Sequence, residues 1–147
     1  MSLEEYKKKR KFDKTTEPIG TEKKEGNDQR IFVIQEHDAS NLHWDLRIEK
    51  EGVLKSWAVP KGVPEKEGIK RLAIPTEDHP YEYASFEGEI PEGEYGAGVV
   101  EIWDKGTIDI LKWSDKEIKV NFKGNKINGI YVMIKTKRGY LLFKKKS

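Results

Sequence analysis

The sequence contains no cysteine. That excludes disulfides and any thiolate metal site. It has no apolar run near the ~20 residues a membrane span needs, and its N-terminus lacks the apolar core of a signal peptide. No segment shows sustained helical periodicity. The expectation is therefore a cytoplasmic protein with no membrane partner. What is present fits one ordinary domain: 147 residues, 35% hydrophobic and 37% charged. The core must be economical and the surface heavily charged. Four Trp, six Tyr and five Phe supply enough aromatic bulk to argue against disorder throughout.

Net charge is only +2, but the charge is uneven. Lys7, Lys8, Lys9, Arg10 and Lys11 form one basic run, and Lys144, Lys145 and Lys146 another. Such blocks are either solvated tails or arms that hold a phosphate backbone. Residues 1–30 are polar, with Leu3, Tyr6 and Phe12 available to dock them as an arm; residues 31–147 read as the domain proper.

From Ile31 onward, runs of Val, Ile and aromatics are cut by glycine-containing turns. Strands are expected near 31–36, 42–49, 53–58, 70–74, 98–104, 107–111, 116–122, 127–135 and 139–144. The turns include Glu51-Gly52, Lys105-Gly106, Lys123-Gly124-Asn125 and Arg138-Gly139. Residues 75–97, with Pro75, Pro80, Pro91 and several glycines, read as one long ordered functional loop. Short strands at close spacing give an all-β fold, an antiparallel barrel or sandwich.

The run 42–49 carries the chemistry. Leu42, Trp44, Leu46 and Ile48 alternate with His43, Asp45, Arg47 and Glu49. A strand sends successive side chains to opposite faces, so one face packs on a core and the other aligns a His, an Asp and an Arg. Asp38-Ala39-Ser40-Asn41 is turn-like, and a hairpin there brings His37 close to His43 and Asp45. Two imidazoles and a carboxylate suit a divalent transition metal. Arg47 cannot ligate a metal, but its planar fork grips a phosphate beside one. His79, the third and last histidine, lies in the Pro-rich segment with Glu77, Tyr81 and Tyr83. On spacing alone two readings stay open, a metal site and an ordinary solvent-facing strand face. Lys61 and Arg71 flank a turn and on spacing alone read as surface charge.

Longer motifs add to this. The run Phe32 to Arg47, reading FVIQEHDASNLHWDLR, closely resembles the 3′-phosphoesterase module of bacterial ligase D. Ser56-Trp57-Ala58-Val59-Pro60-Lys61-Gly62, Glu77-Asp78-His79-Pro80-Tyr81-Glu82-Tyr83, Phe86 to Pro91 and Gly93 to Gly98 match it further. The stretches Tyr6 to Pro18 and Tyr131 to Lys145 are also similar, so the resemblance covers nearly the whole chain. That module also occurs as a stand-alone archaeal protein, and this chain resembles such a form.

The resemblance implies a single β-barrel with its active site on a concave face. It implies a manganese-dependent enzyme, with Co²⁺ or Zn²⁺ as other candidate metals, acting on DNA 3′ ends in repair by non-homologous end joining. The family removes a terminal ribonucleoside and then the 3′-phosphate. By position, His37, His43 and Asp45 become metal ligands; Arg47 and His79 contact the phosphate; Tyr83 is a further active-site residue; Lys61, Arg71, Glu77 and Gln35 support them. A DNA ligase and a polymerase are then partners acting in trans. Two rivals remain. One is a small-barrel nucleic-acid-binding module without catalysis. The other is a non-haem Fe(II) 2-oxoglutarate oxygenase built on His43, Asp45 and His79.

Overall fold

The computed structural model describes residues 3–12, 14–18 and 29–146. Among these described residues nine strands follow one short helix, α1 (Leu3–Lys8): β1 (Arg30–Asp38), β2 (Leu42–Lys50), β3 (Val53–Val59), β4 (Lys70–Pro80), β5 (Gly88–Ile90), β6 (Gly98–Trp113), β7 (Glu117–Gly124), β8 (Asn128–Thr136) and β9 (Gly139–Lys144). A 3₁₀ turn at Tyr81–Ser85 separates β4 from β5. Strand order is β1-β2-β3-β4-β9-β8-β7-β6, and β6 pairs back onto β1. Eight antiparallel strands thus close a barrel, and closure removes the free edges that would template aggregation. The short β5 pairs along the start of β6.

Hairpins set the register. Glu51 and Gly52 both take positive φ, 56° and 82°, the left-handed pair that a two-residue turn between twisted strands requires. In β1 and β2, the side chains at Phe32, Ile34, Leu46 and Ile48 enter the barrel with Trp57, Val59, Phe122, Tyr131 and Met133. Each such fully buried aliphatic contributes ~1.5–3 kcal/mol. The connection after β3 covers this core: Val63 is buried in it, and Tyr131 Oη donates to the Pro64 carbonyl at 2.6 Å.

A second apolar cluster lies on the other face of the same strands. Val33, Leu54, Tyr83, Ala84, Phe86, Ile90 and Val100 pack there around Tyr6, which is fully buried. The described part of the arm is therefore docked on the barrel through Tyr6, with Phe12 packed against the same cluster. Among the described residues no helix is long and apolar enough to cross a membrane.

Two readings from sequence are corrected. The expected turn at Lys105-Gly106 is instead the middle of β6, a single 16-residue strand. Gly106 stands opposite both Phe32 and Gly124. A Cβ there would collide with the Lys123 carbonyl oxygen, so this glycine marks a close approach between strands, not a reversal. The long loop expected over 75–97 begins as the second half of β4 and contains the 3₁₀ turn and β5. Pro75 is opposite Trp57 and Pro80 opposite Val53. The β3–β4 ladder shifts register between Leu54 and Ser56, and this irregularity accommodates a strand carrying two prolines.

Candidate metal centre and anion pocket

The barrel interior is filled with side chains. The hollow lies on the opposite face of β1 to β4, walled by residues 90–96 and by the arm. It has a volume of about 280 Å³, and Arg10, His37, His43, Asp45, Arg47, Glu77, His79, Tyr83 and Tyr95 are among the residues lining it. Strand pairing assembles its centre. His37 stands directly opposite His43, and Gln35 opposite Asp45. Side chains at paired positions share a face, so two strands deliver both imidazoles and the carboxylate to one point.

One donor atom from each of His37, His43 and Asp45 lies within 4.8 Å of the others. His37 Nδ1 is 3.5 Å from Asp45 Oδ2, and His43 Nε2 is 3.2 Å from Asp45 Oδ1. The outer nitrogens are both fixed. His37 Nε2 faces the Gly96 carbonyl at 2.7 Å, and His43 Nδ1 faces the Asn41 carbonyl at 3.0 Å. A carbonyl only accepts, so each outer nitrogen carries a proton, and the inner nitrogen toward Asp45 is the one available to a metal. This is how metal-ligating imidazoles are oriented. The donor set therefore fits a divalent transition metal, and these three residues can hold one.

The electrostatics fit as well. Burial pushes the Asp45 carboxyl upward, but the Arg47 guanidinium and hydrogen bonds from His37 and His43 outweigh it and hold the group far below the carboxylate range. Asp45 is thus an anion at every ordinary pH. His43 is raised, chiefly by its hydrogen bond to Asp45 and against its own desolvation.

Arg47 is buried and held on three sides. Its Nε donates to Gln35 Oε1 at 2.6 Å, its Nη2 lies 3.5 Å from Asp45, and its guanidinium stacks 4.8 Å from the centroid of the Tyr83 ring. Gln35 is itself locked, its amide donating to the Tyr83 and Phe86 carbonyls at 2.7 and 3.1 Å. Arg47 Nη1 finds no partner among the described residues, and neither does Thr76 Oγ1, which also lines the hollow. Buried donors without partners cost ~1–3 kcal/mol each. Both residues line the hollow, and spare donor capacity there suits an incoming anion.

Two arm residues outside the ten site candidates lie here, Arg10 lining the hollow and Glu17 behind it. Arg10, its side chain only 5% exposed, pairs with Glu17 at 3.0 Å and Glu77 at 3.1 Å, and its Nη2 lies 3.3 Å from His79 Nε2. Tyr83 Oη donates to Glu17 at 2.7 Å. His79 Nδ1 faces the Glu77 carbonyl, so Nε2 is the accepting nitrogen toward Arg10. Burial, with Arg47 and Arg10 nearby, keeps His79 well below its ordinary value and therefore neutral. Burial likewise raises the Tyr83 phenol well above its usual range.

The structure thus gathers eight of the ten residues singled out from sequence. His37, His43, Asp45, Arg47, Glu77, His79 and Tyr83 line the hollow, and Gln35 stands behind Arg47. Lys61 and Arg71 are not brought there. They line a separate surface groove with Trp44, Val63, Lys66 and Trp103, and Arg71 donates to the Lys61 and Gly62 carbonyls. Arg71 faces the barrel end beside inward-facing Ala73 in β4, while the hollow opens off the other face. The signal that would have found Arg10 is its being the one arginine among four lysines.

The closed antiparallel barrel thus carries a His-His-Asp group that could hold a metal ion, with a buried arginine against it. The family can be stated. The sequence model of the DNA ligase D 3′-phosphoesterase domain matches residues 35–135, and the chain belongs to this family. It is 52% identical to the multifunctional non-homologous end joining DNA repair protein LigD of Mycobacterium tuberculosis, over 91% of this chain and 18% of that protein. It is 48% identical to the LigD protein of Mycolicibacterium smegmatis, over 92% and 19%. To that of Pseudomonas aeruginosa it is 44% identical, over 91% and 17%. The chain spans about a fifth of the length of these bacterial relatives.

Proposed function

We propose that this chain is a manganese-dependent 3′-phosphoesterase that resects DNA 3′ ends for repair. The observation that carries the reading is the His37–His43–Asp45 group set beside the buried Arg47, whose Nη1 finds no partner among the described residues. When bound, the metal polarises a phosphoryl oxygen and supplies an activated water. The chain's own residues do the rest. Asp45 supplies the negative charge that draws the cation, and the Asn41 and Gly96 carbonyls hold the two imidazoles in the ligating tautomer. Arg47 grips the phosphate and offsets charge developing on its oxygens. Gln35 and Tyr83 position Arg47. His79 completes the phosphate wall, because an arriving anion favours its protonated, donating form.

The reaction is two hydrolyses at one centre. In the first, water adds to phosphorus and the bond to the terminal ribonucleoside's 5′ oxygen breaks, which leaves a 3′-phosphate. In the second, water adds again and the bond to the strand's 3′ oxygen breaks, which releases inorganic phosphate and leaves 3′-OH. A ligase and a polymerase then use that end.

The test is a 5′-labelled DNA strand ending in one ribonucleotide, incubated with protein and Mn²⁺. The expected products appear in order, 3′-phosphate and then 3′-OH. A strand that is bound with salt-sensitive affinity and never shortened identifies a binding module instead. Consumption of 2-oxoglutarate identifies an oxygenase.

A further inference from the structure

Tyr95 is one of the few large aromatic side chains left in the open, at 48% exposure, and it stands on the wall of the hollow. Its backbone is not free. The carbonyl of the next residue, Gly96, holds His37 Nε2 at 2.7 Å. The turn bearing it is closed by Glu94 N–H to Pro91 O and Ala97 N–H to Glu94 O, both 3.1 Å. The ring is thus exposed to solvent and yet mounted one residue from the support of a candidate metal ligand. Its neighbours carry no net charge. Lys9 Nζ lies 4.9 Å and the Arg10 guanidinium 5.2 Å from the ring centroid, and Glu77 and Glu17 answer these two cations. Ala39 and Ile90 add apolar lining to the same hollow. A neutral, partly apolar wall does not attract a second phosphate, whereas the face of a base suits it.

We propose that Tyr95 is the stacking platform for the base of the terminal nucleoside, the group released in the first hydrolysis. This rests on the reading under Proposed function. The terminal nucleoside is the one part of the substrate with no phosphate beyond the scissile one, so it matches a wall of zero net charge. The ring also supplies a preference for the first step, since a 3′-phosphate end presents no base there.

The experiment compares parent, Tyr95→Ala and Tyr95→Phe proteins loaded with Mn²⁺ on three matched DNA strands. One ends in a ribonucleotide, one in a ribose lacking its base, and one in a 3′-phosphate. Base–aromatic stacking of ~1–3 kcal/mol corresponds to about 5- to 150-fold. Tyr95→Ala is expected to lower kcat/KM on the ribonucleotide end by that factor relative to its effect on the 3′-phosphate end, with Tyr95→Phe restoring most of the loss. Removing the base should slow the parent by a similar factor and slow Tyr95→Ala little further, since ring and base act as one contact. Equal losses on the ribonucleotide and 3′-phosphate ends overturn the proposal. So does a Phe variant as poor as Ala, or base removal that leaves the parent rate unchanged, an arm that needs no variant. A parent protein that releases nothing from any of the three strands refutes the phosphoesterase reading itself, and is recognised by that result alone.

Discussion

Asp45 and Asp104 are two carboxylates almost sealed from solvent, 7% and 3% exposed. They sit on the neighbours that flank β1, Asp45 on β2 and Asp104 on β6. What surrounds them differs in kind. Asp104 accepts four backbone N–H groups, from Lys105, Asn125, Lys126 and Ile127, at 2.8–3.0 Å. Its charge is spent on pinning the β7–β8 turn against β6. Asp45 meets side chains only: His37, His43 and Arg47, all on the wall of an open hollow. A ring of backbone donors satisfies a buried carboxylate for good. Imidazoles on the wall of a hollow do not, because their inner nitrogens can exchange the contact with the carboxylate for a bound cation. Burial of a charge therefore says little by itself; the identity of the partners separates a structural acid from a functional one.

The sharpest way to break this contrast is at Asp45. Asp45→Asn keeps the shape and removes the charge. Turnover should become undetectable and metal affinity should fall by more than the 10–100-fold typical of losing a ligand's supporting partner. Near-parent activity in this variant sinks the assignment of the centre. Next in size is Arg47→Lys, which keeps the charge but not the fork. Its rate should fall about 10²–10³-fold while titrated metal binding changes little. A collapse of metal binding with normal rate per bound metal would make Arg47 a support for Asp45 alone.

On the other side of the contrast, Asp104→Ala orphans four backbone donors. Denaturant unfolding should show a loss of about 3 kcal/mol or more, with the rate per folded molecule close to parent. A normal unfolding midpoint would mean that the β7–β8 turn finds other partners.

The smallest effect concerns how the arm is held. Burial pushes the Glu77 carboxyl up, but its own backbone N–H, Arg10 and Lys9 together bring it below its ordinary 4.5. A carboxyl held low in the folded state adds stability that is complete above 4.5 and disappears as pH falls through the folded value. Parent protein should therefore lose melting temperature below about pH 4.5 more steeply than Glu77→Gln does. Parallel pH curves for the two would show that the Glu77 pairs with Arg10 and Lys9 contribute nothing to stability.

The metal group was legible in sequence because it is local. Alternation along β2 fixes His43, Asp45 and Arg47 to one face, and one short hairpin adds His37. Gln35 and Tyr83 came from the resemblance, and only the packing shows that both act on Arg47. Arg10 and Glu17 were not legible. They reach the site across 60 or more residues of chain, through Tyr6 docking on the second apolar cluster, and a run of cations in sequence looks like a solvated arm whichever member is buried. Periodicity also misreads Gly106, because a glycine needed for close approach of strands has the same letter as one needed for a turn. Lys61 and Arg71 lie near the site in sequence pattern and on a different groove in space.

The central claim is that the surroundings of Asp45 are built to hold a cation and those of Asp104 are not. Calorimetric titration of Mn²⁺ into parent, Asp45→Asn and Asp104→Asn proteins tests it most directly. The account predicts one site per chain in the parent, the same site in Asp104→Asn and none in Asp45→Asn. Retention of that site in Asp45→Asn, or its loss in a folded Asp104→Asn protein, would contradict it.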